Sequence, residues 1–256
     1  MYHFFTDRSQ IHDGMVHIIG GDVNHIRNVL RMKKGEMIVV SCGDEWEYTC
    51  RIFSLSGDKN AGGEDRDEIL AEIVDAQKPG KELPSKIYLF QCLPKADKME
   101  LIIQKAVELG VYKVIPVSSG RSIVKLDQKK AEKKVLRWNA ISGSAAKQSG
   151  RMIIPEVMPV MKFKAALEFA EKEKIAVRYI PYELAEDMNR TRTLFEGIQK
   201  GQSIAVMIGP EGGFEEAEVQ QAMAQGFEAI SLGKRILRTE TAGMTVLSIL
   251  MYLLDE

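Results

Sequence analysis

From Lys86 onward, short β-prone runs alternate with longer helical ones, and this alternation constrains the fold more than any other feature of the chain. A sheet fed by helical crossovers must be parallel and covered on both faces. The pattern predicts strands at 86–92, 113–117, 153–157, 175–180, 204–208 and 227–232. Helices are predicted at 98–109, 128–144, 163–172, near Thr193, at 215–225 and at 241–254. The last, AGMTVLSILMYLL, is apolar around most of its circumference, which suits a helix buried on more than one side.

Residues 1–75 read differently, as a small β-rich domain. Strands are predicted at 37–40, 47–53 and 69–74, with a turn at 42–45 and a short amphipathic helix at 22–32 begun by Asp22. A barrel of five or six strands is the natural closure. The polar, Gly-containing stretch 54–68 reads as a mobile hairpin loop. A linker at 76–84, containing KPGKELP, leads into the second domain at 85–256. The 256 residues suffice for two such domains.

Two loops of the second domain carry the chemistry. The buried run at 204–208 breaks into Gly209, Pro210, Glu211, Gly212 and Gly213, where glycines allow close backbone approach and proline stiffens the turn. A P-loop would need Lys and Ser/Thr after its last glycine, and a dinucleotide fingerprint needs G-x-G-x-x-G; neither is present. Glu211, with Glu215, Glu216 and Glu218 behind it, would repel a polyphosphate, so a neutral or cationic ligand fits better. The plainer alternative is a tight turn furnished with helix caps. The second loop carries Gly233, Lys234, Arg235 and Arg238 before a helix with Glu240 in its first turn. Loops of consecutive strands lie side by side at the C-terminal edge of an open α/β sheet, so the two are expected to share one pocket.

Charge and cysteine content narrow the partners. The formal net charge is −1, yet residues 81–151 hold 15 basic and 6 acidic side chains, enough for a basic face on a neutral protein. Lys129, Lys130, Lys133 and Lys134 serve equally well as the solvated side of a helix. Three cysteines without a C-x-x-C pair and four histidines without ligand spacing predict neither disulfide nor metal site. The N-terminus lacks a basic start and an apolar core, and no apolar run reaches ~20 residues. A soluble, cytoplasmic protein is expected.

The motifs taken together resemble a known family. IGPEGGF followed by LGKRILRTETA is similar to the signature of the SPOUT methyltransferases, specifically the RsmE-type enzymes that methylate N3 of a uridine in small-subunit (16S) ribosomal RNA. QCLPKADKMELIIQKAVELGV (91–111), RSIVK (121–125), KQSGR (147–151) and PYE (181–183) follow the family in order and spacing. The resemblance implies a PUA-like N-terminal β-barrel that binds RNA, matched by HIRNVLRMKKGE (25–36), and an α/β domain whose C-terminal helix threads a trefoil knot. It also implies pairing of two subunits and S-adenosyl-L-methionine held by the knot loops: Tyr182 and Glu183; Ile208, Gly209, Pro210, Glu211, Gly212 and Gly213; Leu232, Gly233, Ile236, Leu237 and Arg238.

Further roles follow from that frame. Arg8, Arg27 and Arg31 in the first domain, and Arg121, Lys125 and Arg151 in the basic segment, are expected on RNA. Lys95 and Lys98 would reach across a dimer to RNA phosphate. Glu211 is the first candidate for the base that removes the uracil proton and Glu240 the second, with Arg238 or Arg121 stabilising the anion. The family pattern is departed from in an acidic Gly-rich insertion near Gly62 and at Ser142 to Ala145. Substrate is ribosomal RNA, naked or in the assembled small subunit. A SPOUT enzyme acting on a ribose 2′-oxygen or another base, a non-catalytic assembly factor, and a small-molecule α/β enzyme are the alternatives.

Overall fold

The computed structural model describes residues 1–55, 67–185 and 187–255. Most of the stretch expected as a mobile loop, with the insertion near Gly62, lies at 56–66, outside the described residues. Contacts divide the chain into two units, Met1–Glu82 with Lys147–Ile154, and Leu83–Ala146 with Pro155–Glu256.

The first unit is one curled six-stranded sheet: β1 (Tyr2–Phe5), β2 (Ile11–His12), β3 (Met15–Ile19), β4 (Met37–Ser41), β5 (Glu47–Leu55) and β6 (Glu68–Gln77), in the order β1-β4-β5-β6-β3-β2. β1 runs parallel to β4 and the other pairs are antiparallel. Alternation drives it: Val16, Ile18, Ile38, Val40, Cys50, Ile52, Ile69 and Ala71 point into one core. Register shifts at Thr49/Cys50 and Ile52/Ser54 bend the long β5–β6 pair and curl the sheet. No ladder among the described residues joins β1 to β2, so the expected barrel is a curled sheet whose ends do not pair.

Helix structure in this unit is shorter than expected. α1 (Gly21–Asn24) passes into a π-helical turn at His25–Val29, and Arg31 at φ 55° ends it. Asp22 does not begin the helix as a cap; its carboxylate accepts from Lys147 Nζ at 2.6 Å. Arg151, expected on RNA, is 5% exposed and donates from Nε and Nη2 to Glu82, whose Oε1 also accepts the Met152 N–H at 2.7 Å. A guanidinium buried and paired in this way is a structural tie and does not reach RNA.

The second unit holds β7 (Ile87–Cys92), α2 (Lys98–Glu108), β8 (Lys113–Ser118), α3 (Gln128–Ser149, its last turn in the first unit), β9 (Glu156–Val157), β10 (Met161–Lys162), α4 (Phe163–Lys172), β11 (Val177–Pro181), α5 (Met188–Glu196), β12 (Ile204–Ile208), α6 (Glu216–Ala224), β13 (Glu228–Ile230) and α7 (Thr239–Leu254). The sheet is parallel, ordered β10-β8-β7-β12-β11-β13, with β9 beside β8. Every residue of β7 and of β12 is buried, as central strands require. The strand expected at 153–157 shrinks to two residues because 153 and 154 belong to the first unit. β12 and β13 are not neighbours; β11 pairs with both and lies between them. After β13 the chain returns to pack α7 on β12 and α2.

Candidate ligand site

A cavity of about 920 Å³ opens beyond the C-terminal ends of β11, β12 and β13, where open parallel sheets bind ligands. The glycine loop after β12 and the basic loop after β13 share it as expected, with the start of the β11 loop between them. Tyr182, Glu183, Ile208, Gly209, Pro210, Glu211, Gly213, Leu232, Gly233, Ile236, Leu237 and Arg238 line it. Gly212 does not; its carbonyl accepts from Arg121 Nη1 at 3.1 Å, outside the wall. Gly213 is required by geometry, since its φ is 69° and a Cβ there would lie 3.0 Å from Glu183 Oε2.

Glu211 is turned toward α2. It accepts the Lys95 N–H at 3.1 and 3.3 Å, and Lys98 Nζ lies 3.0 Å from its Oε1. Burial pushes its carboxyl up, but hydrogen bonds from its own amide, Lys98 and Lys95 outweigh burial and hold it below the ordinary value. Lys98 Nζ is also 3.2 Å from Glu240 Oε2, an ion-pair distance without hydrogen-bond alignment. Its pKa is raised, first by the Glu211 hydrogen bond. Lys98 therefore lines the cavity of its own chain, bracketed by two carboxylates. Arg238 stands at the N-cap of α7, exposed on the cavity wall, with no ion pair among the described residues.

Two buried side chains hold the loops together. Gln91, at the end of β7, donates from Nε2 to the Cys92 carbonyl and to Thr239 Oγ1, both at 2.9 Å, and Thr239 Oγ1 donates to the Gly209 carbonyl at 2.6 Å. The sequence signal was a lone amide in a strand otherwise free of polar side chains but for Tyr88 and Cys92. Asp187, Met188 and Asn189 at the start of α5 also line the cavity and were missed; Asp187, which caps that helix by accepting the Asn189 and Arg190 amides, was the available clue.

Arg8 donates to the Tyr48 hydroxyl and pairs with Asp44 at 3.4 Å, and Arg27 pairs with Asp67 at 3.0 Å. Arg31 and Lys125 are exposed. Among the described residues no group of three or more His, Cys, Asp or Glu is placed to hold a metal ion, and no helix is long and apolar enough to cross a membrane.

Comparison with known proteins gives this arrangement a class. Residues 81–251 match the RNA methyltransferase domain and residues 18–61 the RNA methyltransferase PUA domain. The Bacillus subtilis (strain 168) ribosomal RNA small subunit methyltransferase E is 39% identical over 92% of this chain and 89% of its own. Its counterpart in Mesomycoplasma hyopneumoniae (strain 232) is 34% identical over 97% and 98%. The crystal structure of a ribosomal RNA small subunit methyltransferase E from Neisseria gonorrhoeae bound to S-adenosyl methionine superposes with a TM-score of 0.80, at 34% identity, over 99% of this chain and 98% of that one. The chain belongs to the ribosomal RNA small subunit methyltransferase E family.

Proposed function

We propose that this chain transfers the methyl group of S-adenosylmethionine to N3 of a uridine in 16S ribosomal RNA. The observation that carries the reading is the cavity shared by the GPEGG and LGKRILRT loops, in a chain that aligns along its length with a relative crystallised with that cofactor. The residues fit the group. Ile208, Phe214, Leu232 and Leu237 would offer apolar wall to an adenosine, and Glu183 and Asp187, which line the same cavity, would offer negative charge to a cationic sulfonium. Bound there, it supplies a methyl group whose bond to sulfur breaks with both electrons remaining on sulfur.

The chain's own residues must then orient uracil N3, take its proton and stabilise the anion. Arg238, exposed on the wall with no ion pair among the described residues, is the best placed of the candidates for the anion, with Arg121 tied to the Gly212 carbonyl. The candidate bases Glu211 and Glu240 both lie at ion-pair distance from Lys98. The return of α7 across the sheet to β12 and α2 supports the trefoil knot, and the apolar side chains left exposed on α7 support a homodimer. A ribosomal substrate accords with a cytoplasmic setting.

The test is methyl transfer from labelled cofactor to naked rRNA and to small subunits from cells lacking this protein, with the product nucleoside identified by mass spectrometry. 3-Methyluridine is expected. A 2′-O-methyl nucleoside or another methylated base would replace the uracil N3 assignment, and no transfer to either substrate would overturn the reading.

A further inference from the structure

The first half of α3 breaks two rules of helix electrostatics at once. Lys129 and Lys130 sit in its first turn, which contains no acidic residue, where the helix dipole opposes cations. Lys129 with Lys133, Lys130 with Lys134 and Lys133 with Arg137 are like-charge pairs four residues apart, each unfavourable on a helix surface. The acids nearby relieve only part of this: Asp127 accepts the Lys130 N–H at 2.8 Å, but none of them pairs with Lys129 or Lys133 among the described residues. Glu132 accepts from Gln128 at 3.1 Å, Asp127 pairs with Lys130 at 3.1 Å and Glu100 pairs with Arg137 at 2.7 Å. Lys129 and Lys133 are exposed and have no ion pair among the described residues.

The position of this charge matters as much as its sign. The loop before α3 is fastened at two points, to α6 and to the glycine loop: the Gly120 N–H donates to Glu218 Oε1 at 2.8 Å, and Arg121 Nη1 to the Gly212 carbonyl at 3.1 Å. From Arg121 to Gln128 the chain reaches at most about 25 Å. Arg121, Lys125, Lys129 and Lys133 thus make a strip of basic residues four apart in sequence, whose first member is tied to the GPEGG loop. We propose that this strip is a track for the phosphate backbone of the substrate RNA, laid so that a strand entering the cavity continues along α3. The partner is a polyanion because only repeated negative charge, spaced along a chain, compensates like charges held one helical turn apart. The assignment rests on the proposed RNA methyltransferase activity.

The experiment compares the wild type with Lys129→Ala/Lys133→Ala and Lys129→Glu/Lys133→Glu in binding end-labelled naked 16S rRNA across a salt series, with cofactor affinity measured separately. The alanine pair is expected to weaken RNA binding about tenfold at low salt and to reduce the slope of log affinity against log salt by about 1.5. Cofactor affinity should hold, and thermal stability should stay level or rise because the repulsion is gone. Unchanged affinity and slope in both variants, with a wild type that binds and methylates RNA, would overturn the track and leave the activity standing. A wild type that neither binds nor methylates RNA would overturn the activity, and the track with it.

Discussion

Glu211 directs its charge into a set of donors on α2 and the turn before it. That geometry decides what it can do as a base. Its carboxyl titrates below the ordinary 4.5, so the stability it contributes is present above that value and fades only as pH falls through the depressed folded value. Throughout the neutral range it is ionised and hydrogen-bonded, a weak proton acceptor. We therefore expect Glu211→Gln to lower kcat/KM by less than about tenfold and to leave the shape of the pH–rate profile unchanged, while Arg238→Ala lowers it about 10²- to 10³-fold. A profile measured from mildly acid to mildly alkaline pH decides this. An acid limb that disappears in Glu211→Gln would restore the carboxylate as the base. The motif letters displayed both residues, but not the direction in which each side chain points. Lys98 has the same history, because the ion pairs that occupy it come from positions 211 and 240, over a hundred residues away in the chain.

Three elements meet at Thr239: β7 through Gln91, the loop after β12 through Gly209, and α7, whose first residue it is. The threonine hydroxyl has one hydrogen and gives it to the Gly209 carbonyl, so it must accept from the Gln91 amide, which fixes how that amide is turned. Gln91→Leu keeps the strand apolar and removes the donor. The expected result is a KM for S-adenosylmethionine raised about tenfold with kcat at saturation changed less than about threefold, because a misoriented loop weakens cofactor binding before it alters the reacting atoms. A fall in melting temperature with KM unchanged would reduce Gln91 to a packing residue. At this scale, periodicity made the strands and helices of the second unit legible, since buried runs such as IAVMI have no other use. The order of strands was not legible. That β11 separates β12 from β13 is a pairing choice among long-range alternatives equally compatible with each strand's own sequence, and it is why the two loops face each other across a third.

At the scale of the whole molecule, the outer side of α7 is apolar surface left uncovered among the described residues. Thr239, Gly243, Val246, Leu247, Leu250 and Leu254 bury one side of α7. On the other side Tyr252 is 83% exposed and Leu253 37% exposed, and α2, packed beside α7, exposes Leu101 at 44%. A helix apolar on nearly all sides but covered on one keeps a surface that association would bury, and a stable pair needs about 800 Å² from each partner. The composition of AGMTVLSILMYLL announced this surplus; which residues face inward needed the packing on β12 and α2. Sedimentation equilibrium of the wild type is expected to give the mass of two chains. Tyr252→Asp places a charge on that surface, near the end of α7, where a paired interface would have to bury it without a counter-ion. It should shift the mass to one chain while the circular dichroism spectrum and cofactor affinity hold, since Tyr252 lies outside both the core and the cavity. A variant that remains a pair would put the interface on another face, and a wild type that sediments as one chain would leave α7's outer side for the ribosomal substrate to cover.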